Sequence, residues 1–223
     1  MSNFLETYTT KIKTWANGKF CTEDGVRELI DSMFYPPYTL CADLEFQVTS
    51  GQKLTLWGGT SGTFVGKIDW GDSITTPFYT AKPNHVYSTA GTYRVKVYGS
   101  FPTFANTSDS ISRASLRKII TLRNLTDLAK GFYKCTGLTT LESGFFDDCP
   151  LVTDLTNCFN SCTSLVLRGD EFTLSKFSGR KMMFANCFYV GNTSDQVAGT
   201  APELWNAGLA SGSSTTQCFC RRT

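Results

Sequence analysis

The chain has 223 residues, a net charge of +2, 18% charged and 41% hydrophobic residues. This length fits one large domain or two small ones, and so even a charge balance excludes a dedicated nucleic-acid or membrane-surface protein. No stretch reaches the roughly 18 apolar residues needed to span a bilayer, so no membrane insertion is expected.

Residues 1–39 read as a helical N-terminal segment. In 22-TEDGVRELIDSMF-34 the apolar positions Val26, Leu29, Ile30, Met33 and Phe34 fall on one helical face. Thr22 suits an N-cap, Glu23 and Asp24 suit the positive end of the dipole, and Pro36-Pro37 ends the helix. The stripe either packs on a neighbouring domain or attaches to a partner, and the pattern leaves both open. The opening MSNFLETYTTKIKTWANGKF lacks an apolar h-region and a cleavage site. The expectation is a chain that folds in the cytoplasm and leaves it, if at all, by lysis or inside an assembled particle.

From residue 40 to residue 100 the period changes to two. The segments 44-LEFQV-48, 53-KLTLW-57, 64-FVGKIDW-70 and 92-TYRVKVY-98 alternate between Gly and Pro turns, which predicts a β-sandwich of short strands. Within it stand 68-IDWGDS-73 and 85-HVYSTAGTYRVKVYG-99. Gly71 and Asp72 are expected to make the turn after a strand, Tyr87 to pack on Trp70, and Gly91 to turn the chain into the last strand. Asp69, Asp72 and His85 invite a catalytic or metal reading. The chain has a single His, however, and no third carboxylate stands nearby in sequence, so structural roles are expected.

The pattern of Trp70-Gly71-Asp72, His85-x-Tyr87 and Gly91-Thr92-Tyr93 closely resembles the PKD family of Ig-like β-sandwich domains over about 60 residues. The resemblance implies that the matching residues tie turns to strands. Residues 101–121 are read as a linker, beginning with the polar stretch SFPTFANTSDSISRAS at 100–115.

Residues 122–223 carry a repeat. Phe132-x-x-Cys135-x-x-Leu138 returns 27 residues later as Phe159-x-x-Cys162-x-x-Leu165, with a half-step at Cys149, Val152 and Leu155. Cys-Phe pairs continue the series at Cys158, Cys187 and Cys218, with spacings of 29 and 31. Periods of this size mark stacked coils.

Nine cysteines could serve a disulfide framework, a metal site or a packed interior. An odd count without an export signal disfavours the first, and the wide spacing with one His disfavours the second. Buried reduced thiols are expected, and no cofactor. The units resemble the BspA-type leucine-rich repeat family, as does 199-GTAPELWN-206. The stretch 163–184 departs from the repeat, and Val190-Gly191 replaces the second Cys after Cys187-Phe188.

The expected fold is therefore mainly β with some α: a helical segment, a PKD-like sandwich and a short leucine-rich-repeat solenoid. No nucleophile elbow, P-loop or framed carboxylate pair is present, so no enzyme activity is expected. The resemblances imply a structural and binding protein of a tailed-phage particle, or a bacterial surface adhesin. Expected partners are other virion proteins, a second copy of the chain, and a host glycan or surface protein. Tyr189 and Trp205 are the candidate contact aromatics. Arg168-Gly169-Asp170 is read as a chance tripeptide, and the basic pairs Arg180-Lys181 and Arg221-Arg222 as solvated faces.

Overall fold

The computed structural model describes residues 39–105, 109–189 and 198–218. The described residues are mainly β, with very little helix. In order come β1 (Leu40–Val48), β2 (Lys53–Thr55), β3 (Val65–Asp69), β4 (Thr75–Phe78), β5 (Asn84–Val86), β6 (Gly91–Ser100), α1 (Ser110–Ser115), β7 (Leu116–Leu122), β8 (Thr140–Leu141), β9 (Val166–Leu167) and β10 (Ala198–Gly199). Two 3-10 turns, Leu174–Phe177 and Leu204–Asn206, complete the elements among the described residues. The expected N-terminal helices lie outside the described residues.

Thr39–Thr223 forms one compact unit. Its main sheet is open and runs β4-β3-β6-β1-β7-β8. Each of the four alternating sequence segments holds one of its strands or β2. β1 sits at the centre, antiparallel to β6 and to β7. A central strand packed on both faces must be apolar nearly throughout, and Cys41, Ala42, Leu44, Phe46 and Val48 are all buried. Asp43 is buried on the same strand because Arg94 of β6 holds it with two hydrogen bonds, 2.8 and 2.7 Å. β2 and β5 form a separate antiparallel pair. The edge strand β4 carries Pro77, which lacks an N–H to offer to another strand.

Of residues 101–121, read as a linker, the described stretches 101–105 and 109–121 are built into the core. Phe101 and Phe104 are buried. Asp109 caps α1 by accepting from the Ser112 amide at 3.0 Å and the Ser112 hydroxyl at 2.8 Å. β7 then joins the main sheet, with Leu116, Ile119 and Leu122 buried. The polar composition of 100–115 concealed this, because its hydroxyls are used locally: Ser112 also accepts from the Thr55 amide at 2.9 Å.

From β7 onward the pairing becomes parallel. β7 pairs with β8, β9 pairs with β10, and single parallel bridges join Arg123 to Asp148, Asp154 to Met183 and Met183 to Ser214. Leu116, Ile119, Leu122, Leu125 and Leu128 are buried at a period of three, and so are Cys135, Leu138 and Leu141.

Candidate functional site

The turn between β3 and β4 shows what the paired carboxylates do. Asp69 accepts from the Gly71 amide at 2.9 Å, and Asp72 accepts from the Ile74 amide at 3.1 Å. Gly71 has φ +82°, and a Cβ there would lie 2.7 Å from the Arg94 carbonyl oxygen, so only glycine fits. The other oxygen of Asp72 meets His85 Nε2 at 2.7 Å. The His85 ring stacks on Trp70, with centroids 5.2 Å apart and planes 21° apart. Tyr87 reaches Trp70 through its hydroxyl, which donates to the Trp70 carbonyl at 2.8 Å, while its ring lies edge-on to His85 and stacked on Tyr93. Burial, together with Asp72 nearby, pushes the Tyr87 phenol up, so it remains a donor. Gly91 opens β6 and meets the Tyr93 ring.

The Cys-Phe positions gather into columns. Phe132 stacks on Phe159 at 5.6 Å with planes 4° apart, and Phe159 stacks on Phe188 at 5.3 Å with planes 11° apart. Backbone bonds run in step: Phe132 N–H donates to Cys158 O, Phe159 to Cys187 O and Phe188 to Cys218 O, at 2.9, 2.8 and 2.9 Å. The column continues into the sheet half, because Phe132 packs on Phe104 at 5.1 Å and on Trp57 at 6.3 Å. Trp57 fixes this junction by donating its indole N–H to Gly131 O at 2.8 Å.

Cys41, Cys135, Cys149, Cys158, Cys162, Cys187 and Cys218 are free and buried. Cys21 and Cys220 lie outside the described residues. The Cys162 thiol donates to Phe132 O at 3.2 Å. Burial pushes the thiols of Cys41, Cys149 and Cys162 up to about 12, and those of Cys135, Cys158 and Cys187 well above the ordinary value. Neutral thiols in such surroundings are poor nucleophiles and poor metal ligands. Among the described residues, no group of three or more His, Cys, Asp or Glu side chains is placed to hold a metal ion.

The residue before each column position turns left-handed. Lys130, Asn157, Asn186 and Gln217 have φ of 58, 57, 52 and 52°, and Lys134 and Ser161 repeat this four residues on, at 59 and 62°. These corners bond to one another: Lys130 N–H donates to Thr156 O, Asn157 to Ala185 O and Asn186 to Thr216 O. Tyr133 and Asn160 stand between the paired corners, and Tyr189 follows Asn186 at the equivalent position. Tyr189 is half-buried, and its carbonyl accepts from the Ser161 amide at 2.7 Å. Trp205 belongs to the 3-10 turn Leu204–Asn206, and its side chain is outside the description. The corner row is the polar edge of the coils, and it holds Tyr133, Lys130 and Lys134 in addition to Tyr189. The same 27-residue spacing that aligns Phe132 with Phe159 marks these positions.

Arg168-Gly169-Asp170 is folded on itself. Arg168 pairs with Asp170 at 3.1 Å, and buried Glu171 accepts from the Arg168 and Gly169 amides at 2.5 and 3.0 Å. Arg180 is bound to the carbonyls of Lys176, Pro150 and Val152 and lies over the Phe177 ring. A shallow cleft of roughly 560 Å³ lies beside it, lined by Arg123, Asn124, Asp147, Asp148 and Lys176 among others. Its Arg123 and Asp148 neutralise each other at 3.1 Å. The chain matches no protein-family model, and no curated protein or solved structure resembles it significantly.

Proposed function

We propose that the chain is a non-enzymatic structural and binding protein of a tailed-phage particle. In this reading residues 40–100 are a PKD-like sandwich and 122–223 a short BspA-type solenoid. The 1–39 segment attaches the chain to the particle, and the corner row of the coils meets a host glycan or surface protein. Several copies on one particle would compensate for weak single contacts.

The observation that carries this reading is where the polar side chains are used. Asp69, Asp72, Asp109, Asp127, Asp154 and Glu171 each accept from a backbone amide of a turn. The seven described thiols are all buried. Groups committed to holding turns are poor candidates for proton transfer, and they suit a stiff framework that presents a face. Fold alone does not dictate function, so the source of the chain decides.

The test is immunogold electron microscopy on the source material with an antibody against this chain. Gold on phage particles supports a virion component, and its position separates head from collar or tail. Gold on the bacterial envelope with bare particles overturns it in favour of a surface adhesin.

A further inference from the structure

Asparagine and glycine are the residues that turn left-handed at least cost, because asparagine bonds locally and glycine has no Cβ. The corner row follows this rule at Asn157 and Asn186. Ser161 and Gln217 depart from it with neutral side chains, and Lys130 and Lys134 depart from it with a long cationic side chain twice within one corner. Nothing in the backbone requires lysine there.

Both lysines are exposed, and neither forms an ion pair among the described residues. Lys134 Nζ instead stands 5.2 Å from the centroid of the Tyr133 ring. Other cations are neutralised: Lys118 pairs with Glu142, Arg123 with Asp148 and Arg168 with Asp170. Arg113 donates to Tyr133 O at 2.9 Å. Strained backbone and uncompensated charge therefore coincide on one edge, beside an aromatic ring. Two lysines kept at corners that asparagine would fill with less strain point to use of their charge at the surface.

We infer that Lys130, Tyr133 and Lys134 form a binding site for an anionic polysaccharide carrying carboxylates along an uncharged sugar backbone. The two ammonium groups meet carboxylates, and the Tyr133 ring offers an apolar face to a sugar ring. Next along the row, the Asn186 amide matches sugar hydroxyls, while Asn160 donates to Asn157 at 2.9 Å and accepts from the Ser161 hydroxyl at 2.8 Å. Adjacent hydrogen-bonded passes lie about 4.8 Å apart, so an extended chain can touch successive corners. A site with two charges among amides is too sparse for a nucleic acid, where every residue carries a phosphate.

This inference rests on the proposed presentation of the corner row, yet the two fail separately. Immunogold locates the chain whatever it binds, while ligand class is tested on the purified full chain. The probes are polygalacturonate, a carboxylated sugar polymer, and uncharged dextran, measured by biolayer interferometry. The variant K130N/K134N gives each corner a residue that tolerates φ near +58°, so it should fold with an unchanged or higher melting temperature. A matched control, K53N/K82N, removes the same charge from exposed positions elsewhere.

The expected result is binding to polygalacturonate that weakens with added salt, roughly tenfold weaker in K130N/K134N and unchanged in the control. Equal losses in both variants, no loss in either, equal binding to dextran, or no binding by the wild-type chain would each overturn the inference.

Discussion

Trp57 joins the two halves of the unit, and its removal tests whether they unfold as one cooperative body. Its ring meets Phe46 of β1 edge-on at 6.2 Å, Phe104 at 6.2 Å and Phe132 of the first coil at 6.3 Å. Its indole N–H donates to Gly131 O at 2.8 Å. Deleting a buried aromatic ring costs about 3–5 kcal/mol, and leaving a buried carbonyl without its donor adds roughly 1–3 kcal/mol. With a urea m-value of about 2–3 kcal/mol/M, Trp57→Ala should lower the unfolding midpoint by roughly 2 M.

The milder Trp57→Phe keeps most of the contact area and should lose mainly the hydrogen bond, about 1–3 kcal/mol. The assay is urea unfolding followed by circular dichroism, with amide hydrogen exchange read at Val95 and Val97 in the sheet and at Phe159 and Phe188 in the coils. Both sets should lose protection by the same factor in both variants. Coil amides that keep wild-type protection while the sheet amides lose theirs would refute the shared core.

Two further outcomes test the columns. The thiols of Cys41, Cys149 and Cys162 are pushed up to about 12 from an ordinary value of 9.0. Above pH 9 the unfolded chain gives up thiol protons that the folded chain retains, so this stabilisation is complete below that pH and is lost as pH rises towards 12. The urea midpoint should fall steadily between pH 9 and 11; a flat profile would place these thiols in contact with water. At the corners, Asn157 has φ 57° and accepts from the Asn160 side chain at 2.9 Å. Asn157→Ala and Asn157→Gly both lose that bond, but only alanine adds the left-handed penalty. Alanine should therefore be about 1–2 kcal/mol less stable than glycine, and equal melting temperatures would contradict the conformation.

How far sequence reached depends on the period of the pattern. The strands β1, β3 and β6 were legible because one face or both are packed, which writes an apolar alternation or run into the chain. β7 was not. Its buried residues Leu116, Ile119 and Leu122 recur every third position, which is neither a strand nor a helix period, and polar residues precede it. The same period continues through Leu125 and Leu128, so the repeat pattern begins before residue 122, within the stretch read as a linker. Among candidate site residues, Tyr189 stands out as an aromatic late in the chain. Lys130, Tyr133 and Lys134 were hidden because the alignment followed apolar positions, whereas left-handed corners show only in backbone angles.

The recurrence of Cys before Phe follows from what each position must do. The aromatic position carries the stacking energy: each fully buried ring contributes about 1.5–3 kcal/mol by burial, and each ring pair about 0.5–1.5 kcal/mol more. The preceding position lies inside a tight corner, between a left-handed residue and carbonyls that bond to the next pass. Gly131 takes that place at the junction, where the Trp57 indole comes in to its carbonyl. Cys158, Cys187 and Cys218 fill it afterwards. Alanine would leave a gap beside the rings, and serine would bring a hydroxyl that demands a strong partner in a dry interior. A thiol is soft enough to fill the space and polar enough to tolerate carbonyls nearby. The interval from Gly131-Phe132 through the successive Cys-Phe pairs is therefore the length of one pass of the chain, and its drift from 27 to 29 to 31 residues leaves the backbone bonds along the column at 2.9, 2.8 and 2.9 Å.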